Sequence, residues 1–265
     1  MKIAIFDSGI GGLSVLHRAV RRLPDAEFIY YADEAHVPYG EKTPAQIRGY
    51  LDEIIPWLTA QGADAIVIAC NTATTAADME YRRQFPIPIV GMEPALKLAI
   101  DTYGHLGKKV LVTATPVTIR GPKLAGLIER IDPHRCAELR MLPGLVRLAE
   151  AGNFDSPDVT DCLRRELGQI DPDEYSCLVF GCTHFCYFSR RFRDYLGDGI
   201  HFLDGSDGAL RQLMRLLHVD PDTPEDGRVS QDVSYYYSGR PVTGEQMDFI
   251  RLCLRQLDDV REHCR

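Results

Sequence analysis

Short apolar runs that stop at a turn and give way to helical spacing recur along this chain, and that alternation leaves few folds open. Residues 2–6, KIAIF, end at Asp7-Ser8-Gly9 and lead into LSVLHRAVRRL, where Leu13, Leu16, Val20 and Leu23 recur at helical spacing. EFIYYAD then reads as a strand, residues 44–62 as a helix, ADAIVIAC as a buried strand, and TTAADMEYRRQF as a helix capped by Asn71 or Thr72. PIPIVGM at 86–92 is a further strand, and KKVLVTA at 108–114 opens a second set with a helix from near Val117-Thr118. Weaker helices are expected around 143–151 and 156–169, followed by strands SCLVFGC and HFLDGSD and a helix over GALRQLMRLL. A tyrosine-rich YYYSG segment and a last amphipathic helix over 244–262 finish the chain.

Units of strand, turn and helix build parallel sheets covered by helices, so the expected class is α/β with two wound halves and mainly parallel sheets. Each half carries an apolar strand ending in Cys-Thr or Cys-Asn-Thr, although no residue-level repeat runs through the sequence. Ligands in open α/β sheets bind outside the carboxyl ends of the strands. Strand ends carrying Asp7, Cys70, Thr113 and Cys182 should therefore point the same way, and two such sheets meeting edge to edge would enclose one cleft.

Bulk properties narrow the function classes. At 265 residues, with 45% hydrophobic and 26% charged residues, the chain can bury a real core and is neither disordered nor fibrous. Its net charge of -8 argues against a nucleic-acid surface, and Arg18, Arg21 and Arg22 read as a solvated helix face. No apolar stretch approaches the ~18 residues that span a bilayer, and the start MKIAIFDSG lacks a leader's charged and apolar regions. A cytoplasmic setting is expected, in which the eight cysteines are free thiols and not a disulfide scaffold.

Two of those cysteines share an unusual setting. Cys70 in IVIACNT and Cys182 in CLVFGCTH each close an apolar strand and precede a helix, where unpaired N–H groups favour an anion. Such placement is expected to lower a thiol pKa from ~8.5 toward neutrality. His184, two positions after Cys182, is a candidate to hold a proton or orient the thiol. Cys182, His184 and Cys186 could invite zinc, but alternate residues close a tetrahedron poorly and no second ligand pair exists, so no metal is expected. Cysteines 136, 162, 177, 186, 253 and 264 are read as packing or surface residues.

The turn Asp7-Ser8-Gly9-Ile10-Gly11-Gly12 imitates a dinucleotide fingerprint, with Asp33 near the place of a ribose-binding acid. Against that reading, Ser14 occupies the third glycine position and Asp7 would push a carboxylate toward the pyrophosphate. The glycines are expected instead to let backbone N–H groups approach a small carboxylate ligand, with Ser8 as a further donor and Asp7 facing the cleft. Val37-Pro38-Tyr39-Gly40 is a loop at a strand's end, placed to bear ligand contacts, and Thr113, Thr115 and Thr118 offer hydroxyls where the second half begins a helix.

Taken together, FDSGIGGLSV at 6–15, YYADEAHVPYGEKT at 30–43, IVIACNTATT at 66–75, LVTATPVTIR at 111–120, LAEAGN at 148–153 and VFGCTHF at 179–185 closely resemble the glutamate racemases of the cofactor-independent aspartate/glutamate racemase superfamily. The stretches run in family order from residue 6 to about 207. The resemblance implies two pseudo-symmetric α/β lobes, 1–97 plus 208–265 and 98–207, with the active site in the cleft between them. It assigns Cys70 and Cys182 as catalytic acid and base, with Asp7 and His184 beside them. Asp7, Ser8, Tyr39, Gly40, Asn71, Thr72, Thr183 and His184 would contact glutamate, while Glu150 and Thr118 are further candidates. It implies no cofactor, a homodimer, and a role in supplying D-glutamate for peptidoglycan. Only five residues precede FDSG, so activation by a cell-wall precursor through a longer N-terminal extension is not expected.

The chain also departs from the pattern. After GCTH the family continues with Tyr-Pro and aliphatics, whereas this chain has Phe185-Cys186-Tyr187-Phe188, and Met92-Glu93 replaces a commoner aliphatic pair. These changes touch the packing behind the site more than the thiols.

Elementary chemistry favours the same reading. Inverting an α-carbon without a cofactor needs one base per face, and thiols whose pKa lies near the working pH can exchange roles with direction. The alternatives are a racemase of aspartate or another small amino acid, a binding protein on the same fold and, more distantly, a dinucleotide oxidoreductase.

Overall fold

The computed structural model describes residues 1–263, with side chains to 261. The first half runs β1 (Lys2–Asp7), α1 (Leu13–Arg22), β2 (Glu27–Ala32), α2 (Pro44–Ala60), β3 (Ala65–Ile68), α3 (Asn71–Ala76), α4 (Met79–Arg82) and β4 (Ile89–Gly91). After α5 (Leu96–Tyr103), a second set follows: β5 (Lys109–Ala114), α6 (Pro116–Arg120), α7 (Pro122–Ile131), β6 (Ala137–Met141), α8 (Pro143–Glu150) and α9 (Pro157–Leu167). It closes with β7 (Tyr175–Gly181), α10 (Ser189–Leu196), β8 (His201–Asp204) and α11 (Ser206–Leu216). The tyrosine-rich segment becomes β9 (Val233–Tyr237), which turns back through β10 (Arg240–Pro241) before α12 (Gly244–His263).

The strands form two sheets. One has the order β10-β9-β2-β1-β3-β4 and the other β6-β5-β7-β8, and every pairing except that of β9 with β10 is parallel. Strands in such sheets are buried on both faces, which is why β1, β3, β5 and β7 read as nearly unbroken apolar runs. Alternation then sorts their side chains. Ile3, Ile5 and Val67 join Leu111, Leu178 and Phe180 in one core cluster shared by both sheets, whereas Ala4, Phe6, Ile66 and Ile68 pack outward under α2. Val110, Val112, Cys177 and Val179 fill the outer face of the second sheet.

Carboxyl ends meet across a seam. The short 3-10 segments Ile10–Gly12 and Thr183–Phe188 touch each other, Tyr39–Glu41 and α3 touch α6, and α8 touches Ile10–Gly12. The contact is thus between loops at the strand ends and not between sheet edges.

Several local expectations need correction. The helix expected over 74–85 is two short helices, because Asp78 accepts from Tyr81 N at 2.8 Å and restarts the chain as α4. Neither Asn71 nor Thr72 caps α3; Cys70 does, its sulfur accepting from Ala73 N at 3.4 Å. The arginine face of α1 is not freely solvated: Arg18 bonds Asp204 at 2.6 Å, Arg21 bonds Asp258 at 2.8 Å, and Arg22 donates to the Pro221 carbonyl. Cys162, Cys177, Cys186 and Cys253 are buried and Cys136 partly so, whereas Cys264 lies outside the described residues. Among the described residues no helix is long and apolar enough to cross a membrane.

One helix start bears directly on the seam. Thr43 and Gln46 form a capping box with Pro44 at the first helical position, so α2 begins at a fixed place just after Tyr39–Glu41. Thr43→Ala should lower stability by about 1 kcal/mol in urea unfolding.

Candidate active site

Both sulfurs border one cavity. Cys70 follows β3 and Cys182 follows β7; each is 7% exposed, and they line the cavity with Ser8, Tyr39, Gly40, Asn71, Thr72, Thr183 and His184. The remaining wall is Pro38, Glu41, Thr115, Pro116, Pro143 and Val146. Its volume is about 30 Å³, room for little more than a water molecule. Glu41 and Arg147 pair across the seam at 2.5 Å beside this cavity, both well exposed.

Around Cys182 the polar groups form a chain. His184 Nδ1 lies 3.6 Å from Cys182 Sγ, and its Nε2 is 2.5 Å from Glu150 Oε1, which also accepts from Ile10 N at 3.0 Å. Burial disfavours charge on His184, but Cys182 and Glu150 outweigh it and hold its pKa well above the ordinary imidazole value.

Cys70 has a different neighbourhood. Its thiol points to Ser8 Oγ at 3.8 Å, and the expected fall in its pKa does not occur. Burial and then the Asp7 carboxylate push it well above the ordinary thiol range, against the smaller opposing effects of Ala73 N–H and Ser8. Helix α3 is only Asn71–Ala76, too short for its dipole to offset complete desolvation.

Asp7 does not face the cavity. It is fully buried behind Ser8 and accepts from Thr183 Oγ1 at 3.0 Å, Gly9 N at 3.2 Å and Ser8 Oγ at 3.3 Å. Burial raises its pKa, although His184, the Gly9 N–H and the Thr183 hydroxyl work the other way. The glycine turn also differs from expectation, because the N–H groups of Gly9 and Ile10 are already given to Asp7 and Glu150. What the glycines admit is protein: a Cβ on Gly9 would lie 1.9 Å from Glu150 Oε1, and one on Gly11 would lie 2.4 Å from Thr183 Oγ1.

Tyr39 turns its hydroxyl away from the cavity to Asp33 Oδ2 at 2.6 Å; the same carboxylate accepts from Ser238 at Oδ1 and pairs with His36. Asp33, the false ribose acid, is therefore the anchor of the 37–40 loop. Thr72 Oγ1 lies 2.9 Å from Thr115 Oγ1 and 3.4 Å from Thr118 Oγ1. Thr115 reaches the cavity wall; Thr118 supports it from behind, and Thr113 is committed to the Val179 carbonyl. Asn71 Oδ1 is buried with no partner among the described residues, an acceptor left open beside Cys70.

Sequence reasoning missed Glu41, Pro143 and Val146, which carry no local chemical signal, and undervalued Thr115, one of three similar threonines. Among the described residues no group of three His, Cys, Asp or Glu side chains is placed to hold a metal ion. No lysine or arginine lines the cavity either, so hydroxyls, amides and backbone groups are what it offers an anion.

Two predictions follow from this geometry. Gly11→Ala forces Thr183 and His184 out of place, and activity should fall by at least about a hundredfold even where circular dichroism shows an intact fold. Glu34, close to Glu150, is pushed from 4.5 up to about 7, chiefly by burial and then by Glu150. A carboxyl with a raised folded-state pKa adds stability that is complete below about 4.5 and lost as pH rises through about 7. Glu34→Gln should therefore match the wild type at acid pH and exceed it by about 2 kcal/mol above neutrality in urea titrations, allowing for solvent screening.

Comparison with known proteins places this geometry. Residues 8–213 match the Asp/Glu/Hydantoin racemase family. The chain is similar to the glutamate racemase of Lachnospira eligens, 42% identical over 264 residues that cover 99% of this chain and 100% of that one. Its fold is similar to the crystal structure of glutamate racemase from Campylobacter jejuni subsp. jejuni, with a TM-score of 0.78 at 26% identity, covering 96% of this chain and 98% of that chain. It is also similar to Escherichia coli glutamate racemase in complex with L-glutamate and the activator UDP-MurNAc-ala, with a TM-score of 0.74 at 28% identity, covering 99% and 94%. A polar cavity with a cysteine from each sheet, on a chain matched at this length, belongs to a member of the Asp/Glu/Hydantoin racemase family.

Proposed function

We propose that this chain is a glutamate racemase, interconverting L- and D-glutamate by moving the α-proton between two thiols without a cofactor. The observation that carries the reading is the pair Cys70 and Cys182, one from each sheet, on the wall of a single small cavity. In one direction the Cys70 thiolate removes the α-proton while the Cys182 thiol delivers one to the opposite face; in the other the roles exchange. His184, raised in proton affinity by Cys182 and Glu150, is the group that exchanges a proton with Cys182.

Charge decides when Cys70 is ready. Burial and Asp7 favour its thiol form, and a substrate ammonium arriving at Ser8 and the open Asn71 Oδ1 offsets the Asp7 charge. Thr72, Thr115 and Thr183 hydroxyls, with backbone around Gly40, then hold the carboxylates and the developing carbanion. Asp7 acts from behind through Ser8 and Thr183, and Thr118 through Thr72 and Thr115.

Glutamate is far larger than a cavity of about 30 Å³, so the lobes 1–97 plus 208–265 and 98–207 must part to admit it and close again. The exposed Glu41–Arg147 pair is the kind of contact that opens at little cost. Closure expels water and strengthens every polar contact to the reacting carbon. The family resemblance adds a homodimer in the cytoplasm that supplies D-glutamate for peptidoglycan.

Chiral chromatography of L- and D-glutamate, with no cofactor added and both aspartate enantiomers in parallel, tests the activity and separates it from an aspartate racemase. Cys70→Ser and Cys182→Ser should each lower racemisation by at least about a thousandfold, while either variant can still exchange the α-proton of one enantiomer in deuterated water. Near-wild-type racemisation by both variants would eliminate the two-thiol mechanism.

A further inference from the structure

Tyr187 lies in the one stretch beside the catalytic turn where this chain breaks the family pattern, and the reaction chemistry leaves it unused. It is fully buried, on the same segment Thr183–Phe188 that carries Thr183 and His184. Its hydroxyl donates to the Ile10 carbonyl at 2.8 Å, across the seam from the second sheet to the glycine turn of the first. Phe154 stacks on its ring at 4.9 Å, and Gln256 of α12 donates to its carbonyl at 3.1 Å, so the side chain has no freedom to swing away.

Ile10 is thereby gripped on both sides. Its carbonyl takes the Tyr187 hydroxyl and its N–H goes to Glu150 Oε1 at 3.0 Å, the oxygen that also meets His184 Nε2. The contacts close a ring that runs from the 183–188 turn through Tyr187, Ile10, Glu150 and His184 back to the same turn, with Cys182 attached at His184 Nδ1. Among the described residues none of Tyr187, Ile10, Glu150 and His184 hydrogen-bonds Cys70, whose direct partners are Ser8 and Ala73.

We propose that Tyr187 is a positioning residue for the Cys182 half of the site: by fixing the Ile10 backbone at its carbonyl it holds the N–H on the other side of the same Cα against Glu150, and through Glu150 aims the imidazole that faces Cys182. The inference rests on the racemase reading for its kinetics but makes a claim about one thiol that needs no substrate to test. A phenylalanine would fill the same volume and keep the stacking on Phe154, so packing alone gives no reason for the hydroxyl. Burial keeps that hydroxyl protonated and hence a donor, its pKa lying well above the ordinary phenol value.

Tyr187→Phe in the full-length protein isolates the oxygen, since it removes the cross-seam donor and leaves the Ile10 carbonyl only the Leu13 N–H of its own turn, with little change of shape. The expected result is a fall in kcat of about tenfold for both enantiomers with KM within about twofold. Alkylation by iodoacetamide, read by peptide mass mapping, should slow several-fold at Cys182 and stay unchanged at Cys70. Phe154→Leu is the control: it loosens the ring without removing the hydroxyl, and should lower the melting temperature while keeping kcat and the ratio of alkylation rates. Unchanged kcat in Tyr187→Phe, an unchanged alkylation ratio, or the same ratio change in Phe154→Leu would each overturn the proposal. Wild-type protein that fails to racemise glutamate would defeat the functional reading alone, because the alkylation ratio reports on the Tyr187 contact with no substrate present.

Discussion

Two carboxylates, Asp7 buried and Glu150 partly so, exchange partners across the seam between the sheets, and the rest of the site depends on that exchange. Asp7, at the end of β1, accepts the hydroxyl of Thr183 from the second half; Glu150, at the end of α8, accepts the amide of Ile10 from the first. Each carboxylate thus ties its own half to the turn that carries the other half's polar groups. Removing one partner would leave each carboxylate with fewer of the contacts that compensate its desolvation, at a cost in stability. The glycines of the 9–12 turn make the exchange sterically possible, because any side chain at Gly9 or Gly11 would occupy the space of Glu150 or Thr183.

From this seam follows an electrical asymmetry between two chemically identical thiols. Cys70 sits beside the Asp7 carboxylate and a serine, which with burial favour its protonated form. Cys182 sits beside an imidazole whose proton affinity is raised by Glu150 and by the sulfur itself. A pair of bases working on opposite faces of one carbon has to start each turnover with one protonated and one not, and unequal neighbourhoods of this kind suit two thiols to different roles. Both thiols and His184 are buried, so these neighbourhoods act with less screening than at the surface.

Much of this was legible from residue order. Apolar runs closed by Asp7, Cys70 and Cys182 placed the strands correctly, and the CNT and GCTH segments pointed to the two sulfurs that line the cavity. The failures are informative because each concerns a partner distant in sequence. A thiol at a helix start reads as acidic until burial and Asp7, more than sixty positions away, are known. Glycines after a strand read as a ligand cradle until Glu150 and Thr183 are seen filling it. Arginines in a row read as solvated until Asp204 and Asp258 arrive from other elements. Asp33 imitated a ribose-binding acid because its spacing from a glycine turn is a local property, whereas its bond to the Tyr39 hydroxyl depends on how the 37–40 loop folds back.

By itself the amino-acid sequence determined the parallel α/β class, the direction in which the strand ends point, and the two thiols, because periodicity and strand-end chemistry are written in neighbouring residues. Only the tertiary structure decided which carboxylates face the thiols, that Asp7 works from behind the cavity wall, that Pro143 and Val146 complete that wall, and that Tyr187 spans the seam. Those facts depend on desolvation and on contacts between segments far apart in the chain, and neither is encoded in the spacing of residues along it.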